Sequence, residues 1–353
     1  MKLPLFGVDS FTGIHPFLLV IAAAGLDRLV GDPLWCPHPV VVMGWWINRL
    51  RQLIEAWAGD RPWALRLGGS AITLLLVGGS GAAGWLLEQW ALDQVTPGAQ
   101  AIATTVLLIA LASALAGRSL EQAVRRVLAA LRDQANLAPA RQALSWIVGR
   151  DTAELSAAKI LRAAAETVSE NAVDGLFAPL FWMLVGAAIW AAGLREGPGP
   201  LALAWAFKAT STLDSMLGYR RGRLRWLGTA GARLDDLLVW LPCRLVALSL
   251  PLAAGKGPQR SWRLCRAALR DGAPDPSPNA GVSQAIYAQV LGIQLGGTNR
   301  YGDQLKRKPL LAAGSAAPSA AGVERMLQLS RRLELCWLLT GLILAGATAA
   351  VIQ

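Results

Sequence analysis

Long uncharged stretches alternate along this chain with shorter polar ones. Uncharged runs cover Ser10–Leu26, Leu67–Leu87, Gln94–Gly117, Gly175–Leu194 and Leu335–Gln353. Apart from the slightly short first one, they come up to the roughly 20 residues that a helix needs to cross a bilayer. Two further apolar runs are interrupted: Leu201–Leu217 holds Lys208 and Asp214, and Leu237–Ala254 holds Pro242, Arg244 and Pro251. Charges inside such runs face protein or water and are functional candidates by default. The polar segments lie at about 31–66, 118–174, 208–233 and 255–332. Ser119 opens an amphipathic pattern with Glu121 and Gln122 near its start, as a helix N-terminus prefers. The pattern predicts an all-α polytopic membrane protein, one integral-membrane body over 1–353, with a helical bundle, amphipathic and re-entrant helices and a polar site.

Lys and Arg number 4 in residues 31–66, none in 91–99, 8 in 118–174, 6 in 208–233 and 12 in 255–332. Since cytoplasmic loops collect Lys and Arg, the turn at 91–99 reads as external and the polar site as facing the cytoplasm. Residues 175–217 read as a hairpin turning at Gly197-Pro198-Gly199-Pro200. The loop at 255–332 then falls inside if 235–254 dips in and returns at its prolines. The first run is not a removable signal peptide, because it lacks a basic start and runs into Asp27, Arg28 and Asp32.

Composition strengthens this reading: 54% of the residues are apolar and only 16% charged, against about a quarter charged in a soluble domain. Fifteen tryptophans beside three tyrosines and six phenylalanines fit a chain with many rings at a membrane interface. The net charge of +11 is mostly topology, with an anionic lipid or substrate as the other reading. No nucleic-acid partner is expected, since the basic residues form no arm and no zinc-finger, RRM or KH signature occurs. Cys36, Cys243, Cys265 and Cys336 are too scattered for a disulfide framework or a zinc knuckle.

The stretch 148–182 is the richest in candidate chemistry. Arg162, Glu166, Glu170 and Asp174 recur every four residues and share a helix face. Like charges at that spacing repel, so the face predicts a cation, either Mg²⁺ with its preference for oxygen ligands or a basic side chain such as Arg162. In 208–228, Lys208, Thr212, Ser215 and Tyr219 share a face and precede Arg220, Arg221, Arg223 and Arg225; these could hold phosphate or anchor the chain at the membrane. Asp235 and Asp236 are adjacent and face different ways, and Asp236 with Arg244, two turns on, could be a ligand or a neutralising pair. In 274–302 the prolines fix an extended segment, Ser283 is placed to cap the following helix, and Leu295-Gly296-Gly297 could turn backbone N–H groups toward an anion. At 26–46, Asp27 and Asp32 flank a glycine, and His38 sits between prolines. No Walker loop, GxSxG or HExxH is present.

Taken in order, GDP...HPV at 31–40, GRS at 117–119, SWIVGRDT at 145–152, ETVSENAVDGLFAPLFW at 166–182, KATSTLDSMLGY at 208–219, ARLDD with LPCRL at 232–245, SPNAG at 277–281 and LGIQLGG at 291–297 resemble the CobD/CbiB family, the adenosylcobinamide-phosphate synthases. The resemblance covers essentially the whole chain. It implies an inner-membrane enzyme of cobalamin biosynthesis, a ligase that joins adenosylcobyric acid to aminopropanol or its phosphate with ATP and Mg²⁺. It further implies contact with membrane lipid and association with copies of itself or with other membrane enzymes of cobalamin assembly.

The candidate residues follow from these stretches. Glu166, Glu170, Lys208 and Asp214 are expected in catalysis, and Glu166, Glu170, Asp174 and Asp236 around the metal. Asp32, His38, Arg150, Asp151, Asn171, Ser215, Tyr219, Arg244, Ser277, Asn279, Gln284 and Asn299 are expected to bind substrate. The family usually has Glu where this chain has Gln284, and Trp where it has Val282. The alternative of another class is a transporter or binding protein for a corrinoid or other bulky anion. The runs at 67–87 and 94–117 carry no charge to line a continuous path, which favours one-sided access and an enzyme.

Overall fold

The computed structural model describes residues 15–32, 38–133, 135–301 and 304–352. The start of the run at Ser10, and residues 33–37 of the GDP...HPV stretch with Cys36, lie outside the described residues. The chain is built almost entirely of helices: α1 (Pro16–Val30), α2 (Pro39–Ala58), α3 (Pro62–Leu92), α4 (Pro97–Ala112), α5 (Gly117–Ala130), α6 (Ala138–Ser145), α7 (Ala157–Ala172), α8 (Ala178–Ala191), α9 (Pro200–Leu217), α10 (Leu224–Leu227), α11 (Thr229–Ala253), α12 (Pro258–Gly272), α13 (Ala280–Leu291) and α14 (Ala320–Ile352). Several begin with proline, whose missing N–H costs nothing at a helix start. By length and composition, Pro62–Leu92, Ala157–Ala191 and Thr229–Ala253 can each cross a membrane. The pair α4 and α5, bent by 43°, is a further broken span or a re-entrant loop.

Four expectations change. The run expected to start at Gly175 continues helix α7 through a π turn, Val173–Phe177, into α8, so Glu166, Glu170 and Asp174 sit on one long rod. The re-entrant dip placed at 235–254 is a continuous helix of 25 residues, about 38 Å at 1.5 Å per residue. Proline at 242 deprives the Leu238 carbonyl of its helical donor, and the Trp182 indole N–H fills the gap at 3.2 Å. Residues Leu295–Tyr301 and Gln304–Leu311 form an antiparallel hairpin, β1 and β2, in an otherwise helical chain. Finally, α5 starts at Gly117, ahead of Ser119.

The larger core joins α1, α4 to α9 and α11 to α14, and a smaller one fills the space among α2, α3, α9 and α10, so α9 contributes to both. Helices α3 and α9 approach closely because small residues face each other, as in membrane helix pairs. A Cβ on Gly84 would lie 2.9 Å from the Ala202 Cα. The turn at Gly197–Pro200 forms as expected, and Glu88, 1% exposed, caps the helix after it. Its carboxylate accepts from the N–H groups of Gly199 (3.0 Å), Leu201 (2.6 Å) and Ala202 (3.3 Å). Glu88→Ala strips the acceptor from these buried donors and should cost about 2 kcal/mol or more, read as a lower SDS midpoint in mixed-micelle unfolding.

Candidate active site

A polar cavity of about 740 Å³ opens among α5, the 146–149 segment, the α7–α8 rod, α9 and α11. Asp174, Lys208, Asp214 and Asp235 line it, with Asn171, Ser119, Ser215 and Tyr219. Lys208, Ser215 and Tyr219 therefore line one cavity as their spacing suggests, Thr212 does not, and Asp214, which the spacing turns to another face beside Thr210 and Ser211, lines it too. Asp174 lies on the π turn, a helical irregularity common at functional sites. Its charged neighbours are Asp235, Glu170, Asp214 and Lys208, and those of Lys208 are Asp32, Asp27 and Asp174. The Lys208 ammonium thus stands among several carboxylates, with Arg126 as a second basic residue in the cavity lining.

The GDP...HPV and GRS stretches meet at its edge. Ser119 donates to Asp32 at 2.5 Å, and His38 Nε2 lies 3.2 Å from the other Asp32 oxygen. Because His38 Nδ1 accepts the Val40 N–H at 3.3 Å, its proton resides on Nε2, which donates to Asp32. Partial burial pushes the Asp32 carboxyl up, but the hydrogen bonds from His38 and Ser119 and the charge of Lys208 outweigh it and hold it below the usual range. Asp32 is thus an ionised carboxylate at neutral pH. A Cβ on Gly117 would sit 2.9 Å from an oxygen of the buried Asp27, so a side chain there would displace that carboxylate.

The expected metal set is not assembled. Glu166, 1% exposed, turns to the other side of α7, where Arg150 Nη1 lies 2.6 Å and Arg162 Nε 3.8 Å away. It also accepts the Gly296 N–H at 3.0 Å. The anion met by the LGG backbone is therefore the chain's own glutamate. Glu170 accepts from Gln284 Nε2 at 2.7 Å. Asp236 offers its backbone carbonyl to Asn279 Nδ2 at 2.8 Å. Among the described residues, no group of three or more His, Cys, Asp or Glu side chains is close enough to cage a metal ion. The groups suited to a cation arriving with its own ligands are Asp174, Asp214 and Asp235, since Asp235 keeps one buried oxygen without a partner.

Two other sets of expected binding residues lie apart from the cavity. Arg244 pairs with Asn279 Oδ1 (2.5 Å) and the Pro278 carbonyl (2.8 Å) rather than with Asp236. Ser277 Oγ accepts the Ala280 N–H at 3.2 Å, so Ser277 and Asn279, not Ser283, form the start of α13. This SPNAG cluster fastens α11 to α13 as structure. Arg150, Asp151 and Asn299 line a separate cleft between α7 and the hairpin. The arginine run after α9 is engaged at the surface: Arg223 pairs with Asp60 at 2.7 Å, Arg225 lies over Trp226, and Arg221 over Tyr219.

Sequence reasoning missed Asp235, Ser119 and Trp146 as cavity residues. Trp146, 82% exposed, stands in the cavity wall. The only signal for Asp235 was its adjacency to Asp236, which cannot say which of the two faces inward.

A family model described as CobD/Cbib protein matches residues 20–330. The cobalamin biosynthesis protein CobD of Synechocystis sp. is 43% identical over 346 residues, covering 96% of each chain. The cobalamin biosynthesis protein CbiB of Salmonella typhi is 38% identical over 326 residues, covering 92% of this chain and 94% of that protein. The CobD protein of Geobacter metallireducens is 41% identical over 296 residues, covering 83% and 85%. No solved structure gave a significant match.

Proposed function

The chain belongs to the CobD/Cbib family, and from that premise we propose that it is an amide ligase of cobalamin biosynthesis. It joins the propionate carboxylate of adenosylcobyric acid to aminopropanol or its phosphate at the expense of ATP, in the inner membrane with the cavity open to the cytoplasm. The observation that carries this reading is the cavity that sets Lys208 among Asp174, Asp214 and Asp235.

A carboxylate is a poor electrophile, because its negative charge deactivates the carbonyl. Transfer of the γ-phosphoryl group to a carboxylate oxygen gives an acyl phosphate and ADP. The amine then attacks the carbonyl carbon, the C–O bond to phosphate breaks, and inorganic phosphate leaves. Lys208 suits the first step, since a fixed ammonium beside the transferring group stabilises the charge that gathers on its oxygens. The aspartates suit the second, because they attract the substrate ammonium and can take the proton it must lose before or during attack. Mg²⁺ entering with ATP would be met by Asp174, Asp214 and Asp235 and would neutralise phosphate charge. The Asp32 carboxylate, held by Ser119 and His38, fixes the edge of the cavity nearest Lys208.

Purified protein given adenosylcobyric acid, aminopropanol phosphate, Mg²⁺ and ATP is expected to form amide with matching nucleotide cleavage, and none without ATP. Hydroxylamine in place of the amine should yield the corrinoid hydroxamate. Tight corrinoid binding with neither product would replace this reading with that of a binding or transport protein.

A further inference from the structure

A second cleft, of about 490 Å³, lies between α7 and the β1–β2 hairpin. Val148 and Gly149 line the active-site cavity, whereas Arg150 and Asp151 line this cleft, so the 148–151 segment is the wall between the two. The Asp151 N–H donates to the Arg300 carbonyl at 3.1 Å, which pins that wall to the hairpin. Arg150, Lys159, Arg162 and Arg300 contribute four basic side chains, against Asp151 and Glu154 at the same cleft and the buried Glu166 that pairs with Arg150 and Arg162.

Asn299, 4% exposed, is the informative residue. Its Oδ1 accepts from Arg150 Nη1 at 2.9 Å and from Arg162 Nη2 at 3.0 Å. Two guanidinium donors fix the orientation of the amide, so its NH₂ group faces the other way. That Nδ2 is buried and has no partner, and Arg162 Nε, also buried, has no hydrogen bond. A buried donor left unmatched is costly. Glu166 is shared between Arg150 and Arg162, and its Oε2 is itself without a hydrogen bond, so what stays open toward the cleft is the Asn299 NH₂ group beside the remaining basic side chains, a combination that suits an anionic acceptor.

We propose that this cleft binds the phosphoryl group of a phosphate-bearing reactant. Guanidinium, ammonium and amide donors converging from several directions match a group with several charged oxygens better than they match a single carboxylate. The inference rests on the amide-ligase reading for the identity of the reactants, of which ATP and aminopropanol phosphate both carry phosphate. It gives Arg150, Asn299 and Lys159 a role apart from the cavity that holds Lys208.

Asn299→Asp is the sharpest probe. It keeps an oxygen toward both arginines and replaces only the unmatched NH₂ with a negatively charged oxygen. Lys159→Glu, on the exposed face of α7, is a second variant that leaves the core untouched. Full-length protein in detergent would be titrated calorimetrically with a non-hydrolysable ATP analogue, with aminopropanol phosphate and with inorganic phosphate. Asn299→Asp should weaken whichever ligand lodges here about tenfold or more, and Lys159→Glu about threefold, while corrinoid affinity and melting temperature stay unchanged.

Loss confined to the ATP analogue assigns the cleft to the nucleotide, and loss confined to aminopropanol phosphate assigns it to the amine. If all three ligands bind both variants as tightly as the parent, or the parent binds none of them, the proposal is overturned. If Asn299→Asp fails to fold, Lys159→Glu decides alone. Failure of the ligase reading looks different: phosphate ligands bind and the variants weaken them, but no amide forms.

Discussion

Replacing Lys208 with methionine is expected to slow amide formation by about two to three orders of magnitude, the usual effect of removing one group that stabilises developing charge. Methionine keeps the length and the apolar stem of the side chain, so the packing of α9 is disturbed little. The charge is what disappears, and it disappears from beside the carboxylates of Asp32, Asp27 and Asp174. Corrinoid binding, followed by the change in the corrinoid's visible absorption, should persist in the variant and show that it folds. Lys208→Arg should recover part of the rate, because it restores charge with a different shape. Equal rates for the parent and Lys208→Met would remove this lysine from the reaction.

The second large effect is on folding. Glu166→Ala leaves Arg150 and Arg162 facing each other without their shared carboxylate and leaves the Gly296 N–H without an acceptor. Breaking a buried ion pair by removing one partner costs about 3–5 kcal/mol, enough to unfold much of the protein or to lower its yield sharply. Glu166→Gln should cost less, since an amide oxygen can still accept from Arg150 and Gly296. Unfolding in mixed micelles separates the roles: a metal ligand would fold normally as Gln and lose only Mg²⁺ dependence, whereas the observed geometry predicts a loss of stability that added Mg²⁺ does not relieve.

These two residues mark how far the sequence could be read. Periodicity was enough to place Lys208, Ser215 and Tyr219 together, but it turned Asp214, which also lines the cavity, to another face. It was also enough to mark 148–182 as the stretch richest in candidate carboxylates. It failed where a side chain's partner lies far along the chain. Glu166 and Glu170 have the same spacing as a metal face, yet Glu166 is claimed by Arg150 and by a backbone N–H 130 residues away, and Glu170 by Gln284. The π turn then carries Asp174 into the cavity on its own.

The choice between Asp235 and Asp236 depended on the rotation of α11, which packing fixes and local sequence does not. The prolines of α11 read as a break because a proline costs a helix a hydrogen bond. Trp182, on another helix, supplies the missing donor. The hairpin went unread because LGGTNRY and QLKRKPLL are dominated by glycine and charge, with little of the apolar alternation that marks a strand. Its function is clear from its position, since it carries both Gly296 and Asn299 to α7.

The central claim is that the carboxylate is activated by phosphoryl transfer before the amine attacks, and one isotope measurement tests it. Adenosylcobyric acid carrying ¹⁸O in its propionate carboxylate is incubated with the purified protein, ATP, Mg²⁺ and aminopropanol phosphate, and the released phosphate is analysed by mass spectrometry. An acyl phosphate hands one carboxylate oxygen to phosphorus, so each amide formed should leave one ¹⁸O in the inorganic phosphate. Amide that forms while the phosphate stays unlabelled would contradict the account.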